Sequence, residues 1–120
     1  MTTIRIKNLR LRTIVGIFQF EREEVQDIII NLKIKYDDSV AVKTDNVEDA
    51  LDYDKLTRKI TEKVERSRFF LLEKLTEFIL NTIKEDKRIT YIKLKIDKPG
   101  AIKFADSVSI IKSWKYSGDI

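Results

Sequence analysis

Residues 27–36 read DIIINLKIKY. Ile28, Ile30, Leu32, Ile34 and Tyr36 fall at every second position, the period that sends side chains to one face of a strand. Asn31, Lys33 and Lys35 lie on the other face together with Ile29. A strand this regular belongs to a sheet with one covered face, and its neighbours decide which fold that sheet builds. Upstream, IRIKNLRLR (4–12) alternates Ile4, Ile6, Leu9 and Leu11 with bases and slips by one residue at Asn8, as a bulged strand does. Between the two, VGIFQFEREEVQ (15–26) carries four charges and reads as a loop or strand-end connection.

Downstream, TDNVEDALDY (44–53) supplies cap-type residues, and a helix follows with Leu56, Ile60 and Val64 on one face. RFFLLEKLTEFILNTIKED (68–86) reads as a second helix, striped by Leu72, Leu75, Ile79 and Ile83 with Leu71 and Phe78 beside them. TYIKLKI (90–96) and SVSIIKSW (107–114) are two further strands, the last with Val108, Ile110 and Trp114 facing one way. The order is ββααββ, in a single domain over residues 1–120 with no linker or repeat. Two strand pairs flanking consecutive helices give an α+β fold: an antiparallel sheet with both helices on one face. A ferredoxin-like chain would alternate as βαββαβ, which this sequence does not. Four strands leave two open edges, and Ile29 and Ile111 lie on the uncovered face. A barrel closed across subunits removes such edges, so assembly through the sheet is expected.

The chain has no histidine and no cysteine. Structural zinc sites and histidine-dependent nucleophile systems are thereby excluded. Acid–base chemistry falls to Lys, Tyr, Asp or Glu, and neither metal nor cofactor is expected. The 24 basic and 20 acidic residues give a net charge of +4, spread along the whole chain. A nucleic-acid binder more often gathers its bases into one stripe with interleaved aromatics; a small anionic substrate fits this balance at least as well. No apolar run is long enough to span a bilayer, and the first residues alternate instead of forming a signal core, so a cytoplasmic protein is expected, with no membrane or nucleic-acid partner.

KLKIDKPGAIKFADSVSI (93–110) holds the single proline, Pro99, followed by Gly100. Proline cannot donate to a ladder, so it ends the strand. Lys98 is then either a strand terminus and nothing more, or a lysine held rigidly for chemistry. Glu73, amid Leu71, Leu72 and Leu75, is either a boundary residue reaching water or a carboxylate able to accept two N–H donors from a flat heterocycle. Tyr53 could be core filler, and Glu21 a solvated loop charge.

Taken together, these residues resemble the dihydroneopterin aldolase family. GIFQFEREEVQDIIINLKI, TDNVEDALDYDKL, RFFLLEKLTEFIL and LKIDKPGAIKFADSVSI carry the likeness over almost the whole chain. IRIKNLRLRTIVGI, SRFFLLEKLT and KFADSVSI, with a Trp near the end, look like the branch that epimerises dihydroneopterin triphosphate at C2'. The resemblance implies the tunnelling fold, in which ββααββ subunits form four-membered barrels that stack in pairs into octamers. It implies a general acid/base at Lys98, a loop glutamate at Glu21, a tyrosine at Tyr53, and a pterin anchor at Glu73 beside the backbone of Leu72. The zinc enzymes of this fold use His or Cys ligands absent here.

The implied substrate is a 7,8-dihydropterin with a three-carbon side chain. Loss of the 2'-hydroxyl proton would break C1'–C2', free an aldehyde and leave an enol-like pterin, with Lys98 delivering a proton toward N5. Burial or a cationic neighbour is expected around Lys98. Re-addition of the aldehyde through its other face gives the 2'-epimer; its departure makes the enzyme an aldolase. A non-catalytic oligomeric binding protein is the third reading. Arg10, Arg12, Arg22 and Lys103 are candidates to grip a triphosphate tail.

Overall fold

The computed structural model describes residues 1–118. Its long elements are strand β1 (Thr2–Val15), helix α1 (Gln19–Glu23), strand β2 (Gln26–Tyr36) and, after a single turn α2 (Ala41–Thr44) and a 3-10 turn (Val47–Asp49), helix α3 (Tyr53–Glu65). A two-residue strand β3 (Arg68–Phe69), helix α4 (Leu72–Ile83), and strands β4 (Ile89–Pro99) and β5 (Ser107–Lys115) follow. The sheet order is β3-β1-β2-β4-β5. The four long strands are antiparallel, as the sequence predicts, and β3 adds a short parallel pairing to β1.

The slip at Asn8 is a bulge, and it saves the core row. Ile4 and Ile6 pair with Ile34 and Leu32, and after the bulge Leu9 and Leu11 pair with Ile30 and Ile28. Without the extra residue the second half of β1 would turn its leucines to the wrong face. Asn8 takes a left-handed φ of 54°, which Asn tolerates better than most residues. Its N–H donates to Asn31 Oδ1 at 3.0 Å, and the Asn31 amide returns a bond to Asn8 Oδ1 at 3.2 Å.

Apolar rows run straight across the sheet: Ile34–Ile92–Trp114 and Ile30–Ile96–Ile110. Against them α3 buries Leu56, Ile60 and Val64, and α4 buries Leu75, Ile79, Leu80 and Ile83, so both helices cover one face. Asp52 caps α3 by accepting the Lys55 N–H at 3.0 Å.

Three sequence expectations need correction. The segment from Arg68 does not begin a helix: Arg68 and Phe69 are extended because their carbonyls are bound from outside, and α4 starts at Leu72. Leu72 is only half-buried and Leu71 is exposed, so Leu80 takes the place expected for Leu72 in the stripe. The charged 15–26 connection contains the short helix α1, and the connection's four charges hid the helix's one buried residue, Glu21. Among the described residues no helix is long and apolar enough to cross a membrane.

Candidate active site

Along β4, Ile92, Leu94, Ile96 and Lys98 share the face that meets the helices. Lys98 therefore extends a core row, opposite Val108, and its side chain is only 12% exposed. A buried ammonium needs a partner. It finds one in the carboxylate of Glu21, 9% exposed, to which Lys98 Nζ donates. Burial is as expected around this lysine, but the neighbour is an anion instead of a cation.

Glu21 is fixed from several sides. Its Oε1 accepts the Phe18 N–H at 3.2 Å, closing the first turn of α1. Burial opposes its ionisation, but the hydrogen bond from Lys98, the amides of Phe18 and Ile17 and the charge of Lys98 outweigh burial and hold the carboxyl below its ordinary value of 4.5. The carboxylate lies directly against Gly16, where a Cβ would collide with it. Gly16 also has a φ of 143°, which other residues rarely adopt, so this glycine is required twice over. Glu21, Lys98, Phe18, Phe20 and the Pro99–Ala101 turn line a cleft of about 210 Å³. Pro99 closes the strand that presents Lys98, and the lysine is buried and paired there instead of ending free in solvent.

Arg22, the next residue on α1, ties this cleft to the start of α4. Its guanidinium donates to Phe69 O at 2.9 Å, Arg68 O at 2.7 Å and Gly16 O at 3.3 Å, and lies 3.9 Å from the Phe70 ring centroid. Gln26 adds a second tie, accepting the Val15 N–H at 3.2 Å and donating to Glu21 O at 3.1 Å. Sequence reading missed both as positioning residues; Arg22 is one base among 24 and carries no distinguishing pattern. Three of the five Arg22 N–H groups are thus spent on carbonyls, which leaves it less available to grip a phosphate tail. Arg12 is likewise paired with Asp27 at 3.1 Å.

Three residues past Phe69, α4 opens with Leu72 and Glu73. No side chain caps this helix, so its first N–H groups are open to a ligand. Glu73 is exposed in its first turn, an acceptor beside those donors. Leu72, Glu73, Glu21 and Lys98 thus occupy the same end of the sheet.

Tyr53 does not. It is 61% exposed at the N-terminus of α3, near Ala50, whose carbonyl accepts from Arg88 just before β4 begins. About 30 Å of strand separates the start of β4 from Lys98, and α3 reaches the Lys98 end only at its far terminus, where Val64 O accepts from Thr13. One copy of the chain cannot bring Tyr53 to Lys98.

An α+β sheet with this order, bearing a paired lysine at the end of a core row, defines a class, and comparison with known proteins gives its family. Residues 4–112 match the dihydroneopterin aldolase (FolB) family model, so the chain belongs to the dihydroneopterin aldolase family. It is 46% identical over 112 residues to the dihydroneopterin triphosphate 2'-epimerase of Escherichia coli K12, covering 93% of each chain. It is 44% identical to the Pseudomonas aeruginosa protein of the same name, covering 92% of this chain and 89% of that one. The E. coli dihydroneopterin aldolase crystallised with neopterin superposes with a TM-score of 0.87 at 26% identity, covering 95% of this chain and 99% of that chain. The chain has the tunnelling fold of these enzymes.

Proposed function

We propose that this protein interconverts 7,8-dihydroneopterin triphosphate and its 2'-epimer by metal-free retro-aldol and aldol chemistry. The observation that carries the chemistry is the buried Lys98–Glu21 pair at the mouth of a cleft with aromatic walls. The likeness to the two epimerases favours this branch over the aldolase.

In the forward step the 2'-hydroxyl loses its proton, C2' becomes a carbonyl carbon and C1'–C2' breaks. The electron pair moves through C6 to N5, which Lys98 protonates directly or through water. Glu21, ionised at neutral pH, holds the ammonium in place. Glu73 accepts the aminopyrimidine N–H groups, and the open amide of Leu72 donates beside it. Tyr53 exchanges the side-chain proton. When the aldehyde turns over and C1' adds to its other face, C2' is inverted and the proton returns from N5. Lys103, on the exposed loop after Gly100, and the exposed Arg10 remain the candidates for the triphosphate tail.

This constellation requires Tyr53 from a second copy, and we propose a ring-forming homo-oligomer, in all an octamer. The open edge of β5 and the apolar groups at the Lys98 end support it: Ile17, Phe18 and Phe20 are exposed, and Phe104 is 98% exposed. A cytoplasmic location fits a substrate as easily oxidised as a dihydropterin. The deciding assay incubates the protein with dihydroneopterin and with its triphosphate and separates epimer from cleavage product. Epimer formed chiefly from the triphosphate is the expected result. Efficient release of 6-hydroxymethyl-7,8-dihydropterin would make the protein an aldolase, and no turnover of either would leave a binding protein.

A further inference from the structure

The face of the sheet that the helices leave bare has a different character from the site. Arg5, Lys33 and Lys93 stand directly opposite one another on β1, β2 and β4. Like charges directly across strands destabilise a sheet, and this row has two such pairs in succession. Lys7 and Lys95 flank it, and the five cations with Asn31 surround a hollow of about 240 Å³. Among the described residues, Arg5, Lys7, Lys33 and Lys93 have no carboxylate within ion-pair distance; Lys95 has a loose one, Asp97 at 3.8 Å. The row is separate from the candidate active site, because Lys93 and Lys95 point to the opposite face from Lys98 and Lys93 lies about 17 Å from it along β4.

We infer that this bare face binds a small polyphosphate anion across the Arg5–Lys33–Lys93 row. Three strands at about 4.8 Å spacing put the row's ends about 10 Å apart, the span of a short phosphate chain. A bound polyanion would turn two repulsive cross-strand contacts into attractive ones, with the Arg5 fork giving directional hydrogen bonds. Single-stranded nucleic acid is the less suitable occupant: stacking on aromatic side chains is its usual hold, and Tyr91, beside Lys35, is the one aromatic on this face among the described residues. In a ring closed with its helices outward, this face would line the lumen and bring the rows of several copies together.

The test uses inorganic tripolyphosphate as probe, with orthophosphate and a single-stranded oligonucleotide at matched ionic strength. Calorimetry and thermal unfolding are measured on the parent protein and on Arg5→Gln/Lys33→Gln/Lys93→Gln. The parent should bind tripolyphosphate more tightly than orthophosphate, lose affinity as salt is added, and unfold at higher temperature with the probe. The triple variant should bind at least about tenfold more weakly, lose the thermal shift, and turn over unphosphorylated dihydroneopterin at the parent rate. Should that variant fail to fold, the single change Lys93→Gln and the parent's preference for tripolyphosphate over orthophosphate still decide. No binding by the parent, equal binding by a folded variant, no preference over orthophosphate, or stronger binding of the oligonucleotide would each overturn the inference.

Discussion

Strand β4 has an ion pair at each end, and the two differ in kind. At its start Asp86 and Arg88 are neighbours in sequence; the guanidinium reaches Asp86 Oδ2 at 2.8 Å and Ala50 O at 2.8 Å, stapling the turn before β4 to the chain before α3. At its end Lys98 meets Glu21, 77 positions away, across a cleft open to a ligand. The first pair also borders a hollow, of about 440 Å³, but its side chains are 38% and 24% exposed and its hydrogen bonds are met by its own turn and by Ala50. The second puts a buried ammonium beside a cleft, held by a carboxylate that fills the space a Cβ at residue 16 would need. A charged pair beside a hollow is therefore common to both ends of β4; what sets the Lys98 end apart is the burial of its ammonium.

The sharpest way to break this contrast is to remove one member of each pair. Lys98→Ala should lower turnover by roughly 10²–10⁴-fold, the usual worth of a positioned acid or base, while pterin affinity measured by fluorescence titration changes little. Full turnover would reduce Lys98 to a strand end. Next in size, Glu73→Gln should weaken pterin binding about tenfold to a hundredfold, because one acceptor oxygen becomes a donor facing ring N–H groups. Binding at the parent level would make Glu73 a boundary residue of α4.

Asp86→Ala should leave turnover intact and cost about 1 kcal/mol in chemical denaturation, a figure already reduced for partial solvent screening. The hydrogen bond from Arg88 outweighs burial and lowers the Asp86 carboxyl below its ordinary value of 3.8, as Lys98 and the amides lower Glu21. Both groups bind fewer protons folded than unfolded in that range, so their stabilisation is complete above the ordinary carboxylate values and is lost as pH falls through the lowered ones. Asp86→Ala should thus flatten the acid side of the stability curve without moving the pH profile of turnover. Smallest of all is a null effect: exhaustive chelation should leave activity on unphosphorylated dihydroneopterin unchanged, and loss restored by one added divalent ion would contradict the organic mechanism.

The fold was legible because the core rows are written at period two, and even the Asn8 bulge showed as a slip in the alternation. Strand β3 was not legible, since what holds Arg68 and Phe69 extended is a guanidinium from residue 22, a long-range contact with no local signature. Of the candidate site, the residue types were readable and their meeting was not. That Lys98 continues the row of Ile92, Leu94 and Ile96 could be counted off the sequence; that Glu21 lies beneath it depends on the turn at Gly16. Tyr53 was read as possible core filler and is exposed instead, and its distance from Lys98 follows only from the length of the sheet and the direction of α3.

That distance also supplies the most direct test of the central claim, that the site is completed by a second copy. Lys98→Ala and Tyr53→Ala are purified separately and co-assembled by coexpression or by dissociation and mixing. Each variant alone should be nearly inactive. If a site takes Lys98 from one copy and Tyr53 from another, random mixing leaves roughly a quarter of the sites intact and activity should reappear at about that level. Mixed assemblies as inactive as either parent variant would contradict the account and return Tyr53 to the surface of its helix.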